Sequence, residues 1–163
     1  MLSNSYKVTL EQVSIEKWHL LDNLIQLYAY DFSEFTNSEI SGCGKYNLSG
    51  LPRYHWTGTN PDPFLVKVNK NTASFIMLKY IVYEKVKRLS LAEFFILRKY
   101  RKKGIGNRSA QIVLDKFSGE WYLDILSSNK PAITFWKKVI KEYTQDNYVQ
   151  TNDDKKTYIT FEK

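Results

Sequence analysis

Apolar and polar positions repeat with two different periods along the chain, and the changes of period divide it into strands and helices. Residues 5–13 alternate, which predicts a β-strand. Residues 15–30 instead carry apolar side chains at helical spacing, and Ser14 precedes them as a helix cap. A second short helix is predicted over residues 33–38. The helical spacing of residues 15–30 is made by Trp18, Leu21, Leu24, Ile25 and Tyr28.

Strands and helices then follow one another through the rest of the chain. Residues 41–63 are rich in glycine and proline and predict a loop, which at this length is usually functional or mobile. Further strands are predicted over residues 64–68, 73–82, 89–97, 121–126, 148–151 and 156–161, and helices over residues 109–117 and 131–142. The order β-α-α-β-β-β-α-β-α-β-β predicts an α/β (α+β) fold with one mixed sheet and helices on both faces.

Composition narrows the class of protein. The 163 residues suit one domain, residues 1–163, and the 15% aromatic content argues against general disorder. A single cysteine, Cys43, excludes an internal disulfide. No apolar run approaches the roughly 20 residues that cross a bilayer, and the first fourteen residues do not resemble a signal peptide. We therefore expect a cytoplasmic protein that does not enter a membrane.

The positive charge is concentrated in one place. The chain has 24 lysines and arginines against 17 acidic residues, a net charge of +7. Residues 98–103 hold five of these cations, whereas acidic side chains outnumber basic ones in the first forty residues. A local excess of positive charge indicates a phosphorylated ligand. A nucleic-acid-binding protein would instead be expected to have a basic stripe and salt-dependent binding.

The basic segment lies between a hydrophobic strand and a helix and contains Gly104 and Gly106. Free amides at a helix N-terminus bind anions, and glycine lets the backbone approach a phosphate closely. The segment lacks the Gly-x-x-x-x-Gly-Lys-Ser/Thr pattern of a P-loop. A dinucleotide fingerprint would need a third glycine where Ser109 stands. The residues indicate a pyrophosphate-binding loop of another kind.

This segment resembles the acetyl-CoA signature of the GNAT superfamily of N-acetyltransferases. Arg101-Lys102-Lys103-Gly104-Ile105-Gly106 fits the pattern Arg/Gln-x-x-Gly-x-Gly/Ala after a strand. Residues 129–136 are similar to the family's Asn-x-x-Ala-x-x-Phe-Tyr segment. The likeness is good over residues 89–143, weak before residue 64, and greatest to small predicted acetyltransferases of bacteria. It implies a mostly antiparallel sheet of six to seven strands.

The resemblance also implies where acetyl-CoA binds. Main-chain groups of Phe95, Ile96 and Leu97 would pair with the pantetheine arm. The amides of residues 102–107 would hold the pyrophosphate, and Arg101 begins that loop. Asn129 would contact the pantetheine or the adenosine. The full set of implied cofactor-binding residues is Phe95, Ile96, Leu97, Arg101, Lys102, Lys103, Gly104, Ile105, Gly106, Asn107, Asn129, Phe135 and Trp136. Strands 89–97 and 121–126 are expected to be neighbours that diverge at their C-terminal ends.

The catalytic residues are less clearly marked. Glu93 occupies an acidic position where many members bind the substrate amine or remove its proton. Many members have tyrosine at the position of Trp136, where its hydroxyl protonates the leaving thiolate. Tryptophan has no such proton to give, so Tyr143 or water would have to serve. Glu93 also fits a buried structural carboxylate, Asn129 a helix cap and Trp136 a core residue.

No metal site is predicted, because His19 and His55 lack Cys or acidic partners at ligand spacing. Cys43 has no His or Asn context for covalent catalysis. Three functions are weighed: acetyl transfer from acetyl-CoA to a primary amine of a small molecule or peptide by direct attack, acyl-CoA binding without turnover, and nucleic-acid binding. The first is favoured, with acetyl-CoA as co-substrate. The sequence leaves open the acceptor and whether the chain forms a homodimer.

Overall fold

The seven predicted strands form one sheet in a computed structural model that describes residues 6–47 and 58–163. The strands are β1 (Val8–Gln12), β2 (Phe64–Val68), β3 (Asn71–Tyr83), β4 (Val86–Ile96), β5 (Glu120–Leu126), β6 (Val149–Asn152) and β7 (Lys156–Glu162). The α-helices of the described residues are α1 (Trp18–Thr36), α2 (Ile105–Lys116) and α3 (Lys130–Thr144). The mixed α/β fold predicted from the sequence is confirmed.

Helices α1 and α2 differ from their predicted bounds. The predicted helix over residues 33–38 is not a separate element, because α1 continues through it to Thr36. Nothing in the intervening residues interrupts the helix until Asn37, which adopts a left-handed conformation with φ of 52°. Helix α2 begins at Ile105, four residues before its predicted start, directly after Gly104. Part of the predicted loop over residues 41–63 lies outside the described residues.

The sheet has the order β1-β2-β3-β4-β5-β7-β6, and all of its neighbours are antiparallel except β4 and β5. Two-residue turns join β2 to β3 and β3 to β4. Both residues of each turn have positive φ, namely Asn69, Lys70, Glu84 and Lys85. Turns of this kind match the right-handed twist of the strands that they join.

Strands β4 and β5 separate soon after they meet. Their parallel pairing covers only Leu89 with Trp121 and Ser90 with Tyr122. Strand β4 then continues to Ile96 without a partner on that side, while its other side stays paired with β3. The predicted divergence of these two strands is confirmed, and it leaves an open V between them.

A β-bulge in β4 lies inside this open region. Met77 of β3 faces Glu93, and Leu78 faces Leu91, so Ala92 is the extra residue. After the bulge the side chains alternate again. Glu93 and Phe95 therefore share one face of the sheet, and Phe95 packs there with α1.

The two faces of the sheet are covered by different helices. Leu21 and Ile25 of α1 pack with Phe75, Met77 and Phe95 on one face. Helices α2 and α3 cover the other face. Its buried core includes Ile76, Leu78, Ala110, Val113, Leu114, Trp121, Leu123, Trp136, Val139, Ile140 and Ile159. In the described part of the chain, no helix combines the length and apolarity that crossing a membrane requires.

The attachment of α1 can be tested at Leu21, which is 0% exposed. Leu21→Ala should lower the free energy of unfolding by about 2–5 kcal/mol, because it removes buried methyl groups and leaves a cavity. Leu27→Ala makes the same change at a position of α1 that is 51% exposed and should cost less than about 1 kcal/mol. Urea unfolding measures both. Equal losses would show that α1 is not anchored through Leu21.

Candidate functional site

A cleft of about 590 Å³ lies where the unpaired end of β4 meets α1, α2 and α3. Helix α1 forms one wall, and the N-terminal parts of α2 and α3 form the others. Ten of the residues expected to bind the cofactor line it: Phe95, Ile96, Arg101, Lys102, Gly104, Gly106, Asn107, Asn129, Phe135 and Trp136. A cavity of this volume is within the usual range for sites that hold a cofactor.

The two glycines of the loop are required for different reasons. Gly104 is the residue before α2 and has φ of +74°, in the left-handed region that disfavours other residues. Its missing side chain would meet open space. Gly106 is already helical, but a Cβ there would lie 3.3 Å from the Phe135 ring and 3.7 Å from Ile96. Gly104 thus sets the turn into α2, and Gly106 permits close packing beneath the cleft.

The N-terminus of α2 offers unpaired amides to the cleft. The first backbone hydrogen bond of the helix runs from the Arg108 N–H to the Gly104 carbonyl, at 3.0 Å. The amides of Ile105, Gly106 and Asn107 therefore precede the helical ladder and carry the positive end of the helix dipole. The exposed Lys102 side chain lines the same end of the cleft. These groups suit a pyrophosphate.

Only some main-chain groups of β4 face the open V. The Leu97 N–H donates to the Ala73 carbonyl of β3 at 2.9 Å. The Phe95 carbonyl also turns toward β3, where it accepts from the Ser74 hydroxyl. Peptide groups alternate in direction along a strand, so the main-chain N–H and C=O of Ile96 point away from β3. Of the three residues expected to bind pantetheine through the main chain, Ile96 is the one placed to do so.

Asp31 of α1 ties the basic loop to the helix. Its carboxylate accepts from Arg98 at 2.8 and 3.0 Å and from Arg101 at 2.6 Å. Arg101 also donates through Nε to the Ile96 carbonyl at 2.8 Å. Burial raises the pKa of Asp31, but the hydrogen bonds from the two arginines outweigh it, and the net pKa is lowered. The loop is therefore held to α1 and to β4 before any ligand binds.

The α3 wall combines a helix cap with an aromatic cluster. The Asn129 side chain accepts from the Ala132 N–H at 3.1 Å and so caps α3. Trp136 is buried, and its ring meets those of Phe94 and Phe135 edge-on, each at 4.9 Å between centroids. Both residues thus have structural roles while also lining the cleft.

Glu93 of β4 and Tyr28 of α1 are half-buried and close enough to shift each other's pKa. Burial raises the pKa of Glu93, against the lowering effects of the Tyr28 hydroxyl and of the charge on Lys79. Burial also raises the pKa of Tyr28, and the Glu93 charge raises it further. Asp124 of β5 raises both pKa values. Each group of this pair therefore has a raised pKa, and burial is the first cause for both.

A smaller pocket of about 250 Å³ adjoins the cleft on the side of this pair. Tyr28 and Phe32 line both cavities, so the cavities adjoin at these two residues. A short segment after α1 forms the outer wall, and Gln26 holds it through two hydrogen bonds to the Tyr46 backbone at 2.8 and 3.1 Å. The pocket is lined by Tyr28, Ala29, Phe32, Thr36, Ser38, Glu39, Tyr46, Asn47 and Glu93.

Several residues considered from the sequence lie away from the cleft wall. Leu97, Lys103 and Ile105 do not line it, and Ile105 is buried beneath the loop with Val68 and Tyr100. The Tyr143 hydroxyl donates to Asp115 at 2.8 Å. Tyr143 lines neither cavity, so its placement does not favour the predicted role as the acid.

The remaining candidates add no further chemistry to the two cavities. Cys43 is exposed, and a hydrogen bond with Ser41 at 3.1 Å lowers the pKa of its thiol. His19 is exposed, whereas His55 lies outside the described residues. Among residues 6–47 and 58–163, no three His, Cys, Asp or Glu side chains are grouped as a metal site would require.

The contribution of α1 to the cofactor cleft was not predicted, because the sequence placed the N-terminal helices on the acceptor side. Tyr28, Asp31, Phe32 and Phe35 line the cleft from successive turns of this helix. The predicted break near residue 30 concealed their spacing. Read as one helix to residue 36, positions 28, 32 and 35 form an aromatic stripe with a carboxylate beside it.

The model of the acetyltransferase (GNAT) family matches residues 22–140, more than half of the chain. The chain belongs to the GNAT acetyltransferase family. The match includes the cleft wall of α1, the open V, the glycine loop and most of α3. A comparison with curated protein sequences finds no significant match.

Solved structures of GNAT proteins share this fold. An acetyltransferase from Thermus thermophilus superposes with a TM-score of 0.70 at 13% identity, over 96% of this chain and 97% of that one. Arabidopsis thaliana Naa50, solved with the bisubstrate analogue CoA-Ac-MVNAL, gives 0.57 at 20% identity over 94% and 96%. The PaiA N-acetyltransferase from Thermoplasma acidophilum, solved with coenzyme A, gives 0.57 at 15% identity over 96% and 99%. At these identities the likeness establishes the fold.

The tether at Asp31 leads to a prediction about stability. Asp31→Asn keeps the shape but removes the charge that binds Arg98 and Arg101, and should lower the free energy of unfolding at pH 7 by about 1 kcal/mol. Glu34→Gln is the matched control, because Glu34 lines the same cleft from α1 and acts on Arg98 only through longer-range charge. Urea unfolding should show that the control lowers the free energy of unfolding by less than about 0.5 kcal/mol. Equal losses would contradict the tether.

The glycine loop leads to a prediction about cofactor affinity. Gly104→Ala and Gly104→Glu share the backbone strain of a left-handed residue, about 1–2 kcal/mol. Only the glutamate adds bulk and negative charge where the pyrophosphate is expected. Calorimetry should give an acetyl-CoA Kd at least about tenfold weaker for Gly104→Glu than for Gly104→Ala. The same Kd for both folded variants would place the phosphates elsewhere.

Proposed function

We propose that this protein transfers an acetyl group from acetyl-CoA to the primary amine of a small cationic molecule. The observation that carries the proposal is the junction of the two cavities. Tyr28 and Phe32 line both cavities, namely the cleft with the glycine loop and the acidic pocket with Glu93. A cofactor in one cavity and an amine in the other would meet beside Glu93.

The cleft suits acetyl-CoA along its whole length. The α2 amides and Lys102 provide for the phosphates at one end. The open edge of β4 offers the Ile96 N–H to the pantetheine arm, in the manner of an added strand. The free edge runs back from Ile96 toward the bulge at Ala92, so the thioester would lie next to Glu93.

The smaller pocket suits a cation with a short carbon chain. It contains the carboxylates of Glu93 and Glu39, and none of its described lining residues is a lysine or arginine. The rings of Tyr28, Phe32 and Tyr46 offer apolar contact and cation–π attraction to an ammonium group. At about 250 Å³ the pocket is small for a folded protein segment and large enough for an alkylamine.

The chemistry requires that the amine lose a proton before it attacks. An alkylammonium has a pKa of about 10.4, so little free amine is present at neutral pH. Glu93 would take that proton and pass it to water, and it would then accept the second proton that the nitrogen loses when it attacks. Its raised pKa makes it a stronger base than an exposed glutamate. The amine nitrogen then forms a bond to the thioester carbonyl carbon. Main-chain N–H groups at the open edge of β4 would stabilise the oxyanion.

Glu93→Gln tests this assignment and keeps the shape of the side chain. With acetyl-CoA and a panel of small diamines and monoamines, we expect kcat to fall by about tenfold to a thousandfold. The acetyl-CoA Kd should stay nearly unchanged. In the wild type the rate should fall as the pH drops through the raised pKa of Glu93, because the carboxylate must be ionised to act. The variant should lack this limb, and its deficit should shrink at high pH, where more amine is already free.

Glu34→Gln again provides the control, since it removes a carboxylate from the cofactor cleft and leaves the acceptor pocket intact. Detection of the released thiol measures each rate. Full activity of a folded Glu93→Gln protein would contradict the role of Glu93. Acetyl-CoA binding without turnover of any amine would favour the other function considered from the sequence, an acyl-CoA-binding domain in which Trp136 replaces the usual acid.

A further inference from the structure

The reaction needs an acid for the thiolate that leaves the thioester, and the chain lacks the usual one. Trp136 has no hydroxyl, and the Tyr143 hydroxyl is bound to Asp115 away from the cleft. Among the described residues that line the cofactor cleft, Tyr28 is the one that carries a hydroxyl group. Its helix, α1, is a different element from the one that carries Trp136.

Tyr28 stands where the two cavities adjoin, and it shares the smaller one with the proposed base. It lines the cofactor cleft and the acceptor pocket, and Glu93 lines the acceptor pocket beside it. Its ring is fixed by three neighbours, at centroid distances of 5.2 Å to Phe32 and 5.8 Å to both Phe75 and Phe95. These contacts hold the side chain between the cavity proposed for the thioester and the one proposed for the amine.

We propose that Tyr28 is the general acid of this enzyme and that it returns the proton taken by Glu93 to the leaving thiolate. The inference rests on the proposed acetyl transfer. The ammonium ion has by then lost its first proton to water. In the first step the free amine attacks, a C–N bond forms, and Glu93 accepts the proton that the nitrogen then loses. In the second the C–S bond breaks, the Tyr28 O–H gives its proton to sulfur, and the protonated Glu93 gives its proton to the Tyr28 oxygen. The amine has lost one proton, the thiol has gained one, and both side chains return to their starting state.

The pairing with Glu93 is what makes a tyrosine suitable here. A phenol with a pKa near 10 is a weaker acid than a thiol near 8.5, so Tyr28 alone would not yield its proton to a thiolate. Burial raises the pKa of Tyr28 and makes a free phenolate still less favourable. When Glu93 is protonated, it supplies the replacement proton in the same step, and no phenolate accumulates. The hydroxyl acts only after the base has acted.

Tyr28→Phe tests the proposal, because phenylalanine keeps the ring contacts and removes the hydroxyl. With acetyl-CoA and an accepted amine, kcat should fall by about a hundredfold, while the acetyl-CoA Kd from calorimetry stays within about threefold. The decisive comparison uses the acetyl selenoester of CoA as donor. A selenol is a stronger acid than a thiol, so its anion leaves without a proton. The deficit of Tyr28→Phe should then shrink to within about threefold.

Tyr30→Phe is the matched control, since Tyr30 lies on the same helix, is 65% exposed and lines neither cavity. It should retain full activity with both donors. The wild type gives a second readout that needs no variant: kcat should fall more in D₂O with the thioester than with the selenoester, because the transfer to Glu93 is common to both donors and the transfer to the leaving group is needed only by the thioester.

The outcomes separate the two proposals. An equal deficit of Tyr28→Phe with both donors would overturn the acid role and leave Tyr28 as a residue that positions Glu93. Full activity with acetyl-CoA would also overturn it. A wild-type protein that acetylates no amine would instead overturn the proposed function itself.

Discussion

The parallel contact between β4 and β5 is limited to two residue pairs, Leu89 with Trp121 and Ser90 with Tyr122. Beyond it, the main-chain groups on one side of β4 have no strand to pair with, and such groups are costly to leave without hydrogen bonds. Arg101 satisfies the Ile96 carbonyl, and the adjoining edge remains for a ligand. The cleft and the open edge of β4 both depend on this early divergence.

Helix α1 forms a wall of the cleft that this divergence opens. Its apolar face fixes it to β3 and β4 through residues such as Leu21 and Ile25. Its last two turns then present Tyr28 to Glu93 and Asp31 to the basic loop. Because these contacts come from one rigid helix, the acceptor side and the phosphate side of the site are held in a fixed relation. The site is therefore preorganised by packing rather than by the ligand.

The charges of the site are arranged by sign along this axis. Cations from the loop and the α2 amides lie at one end, and the carboxylates of Glu93 and Glu39 lie beyond the wall formed by Tyr28 and Phe32. Anionic and cationic ligands would thus be drawn to different cavities. Asp31 and Glu34 are exceptions, because both carboxylates line the cleft that holds the cations. The two arginine partners of Asp31 hold its pKa low, so Asp31 acts as a structural anion at neutral pH.

The sequence by itself determined the seven strands and the glycine loop, and it named ten of the residues that line the cleft. These features depend on the local spacing of apolar residues and on residues such as Gly104, because glycine readily adopts the left-handed backbone conformation found there. Tertiary structure alone decided which main-chain groups of β4 face the open V, because that depends on pairing with β3 and on the bulge at Ala92. It also decided the partners of Tyr28 and Asp31. Each acquires its role from a residue more than sixty positions away, and an amphipathic pattern records only that a side chain faces inward, not what it meets there.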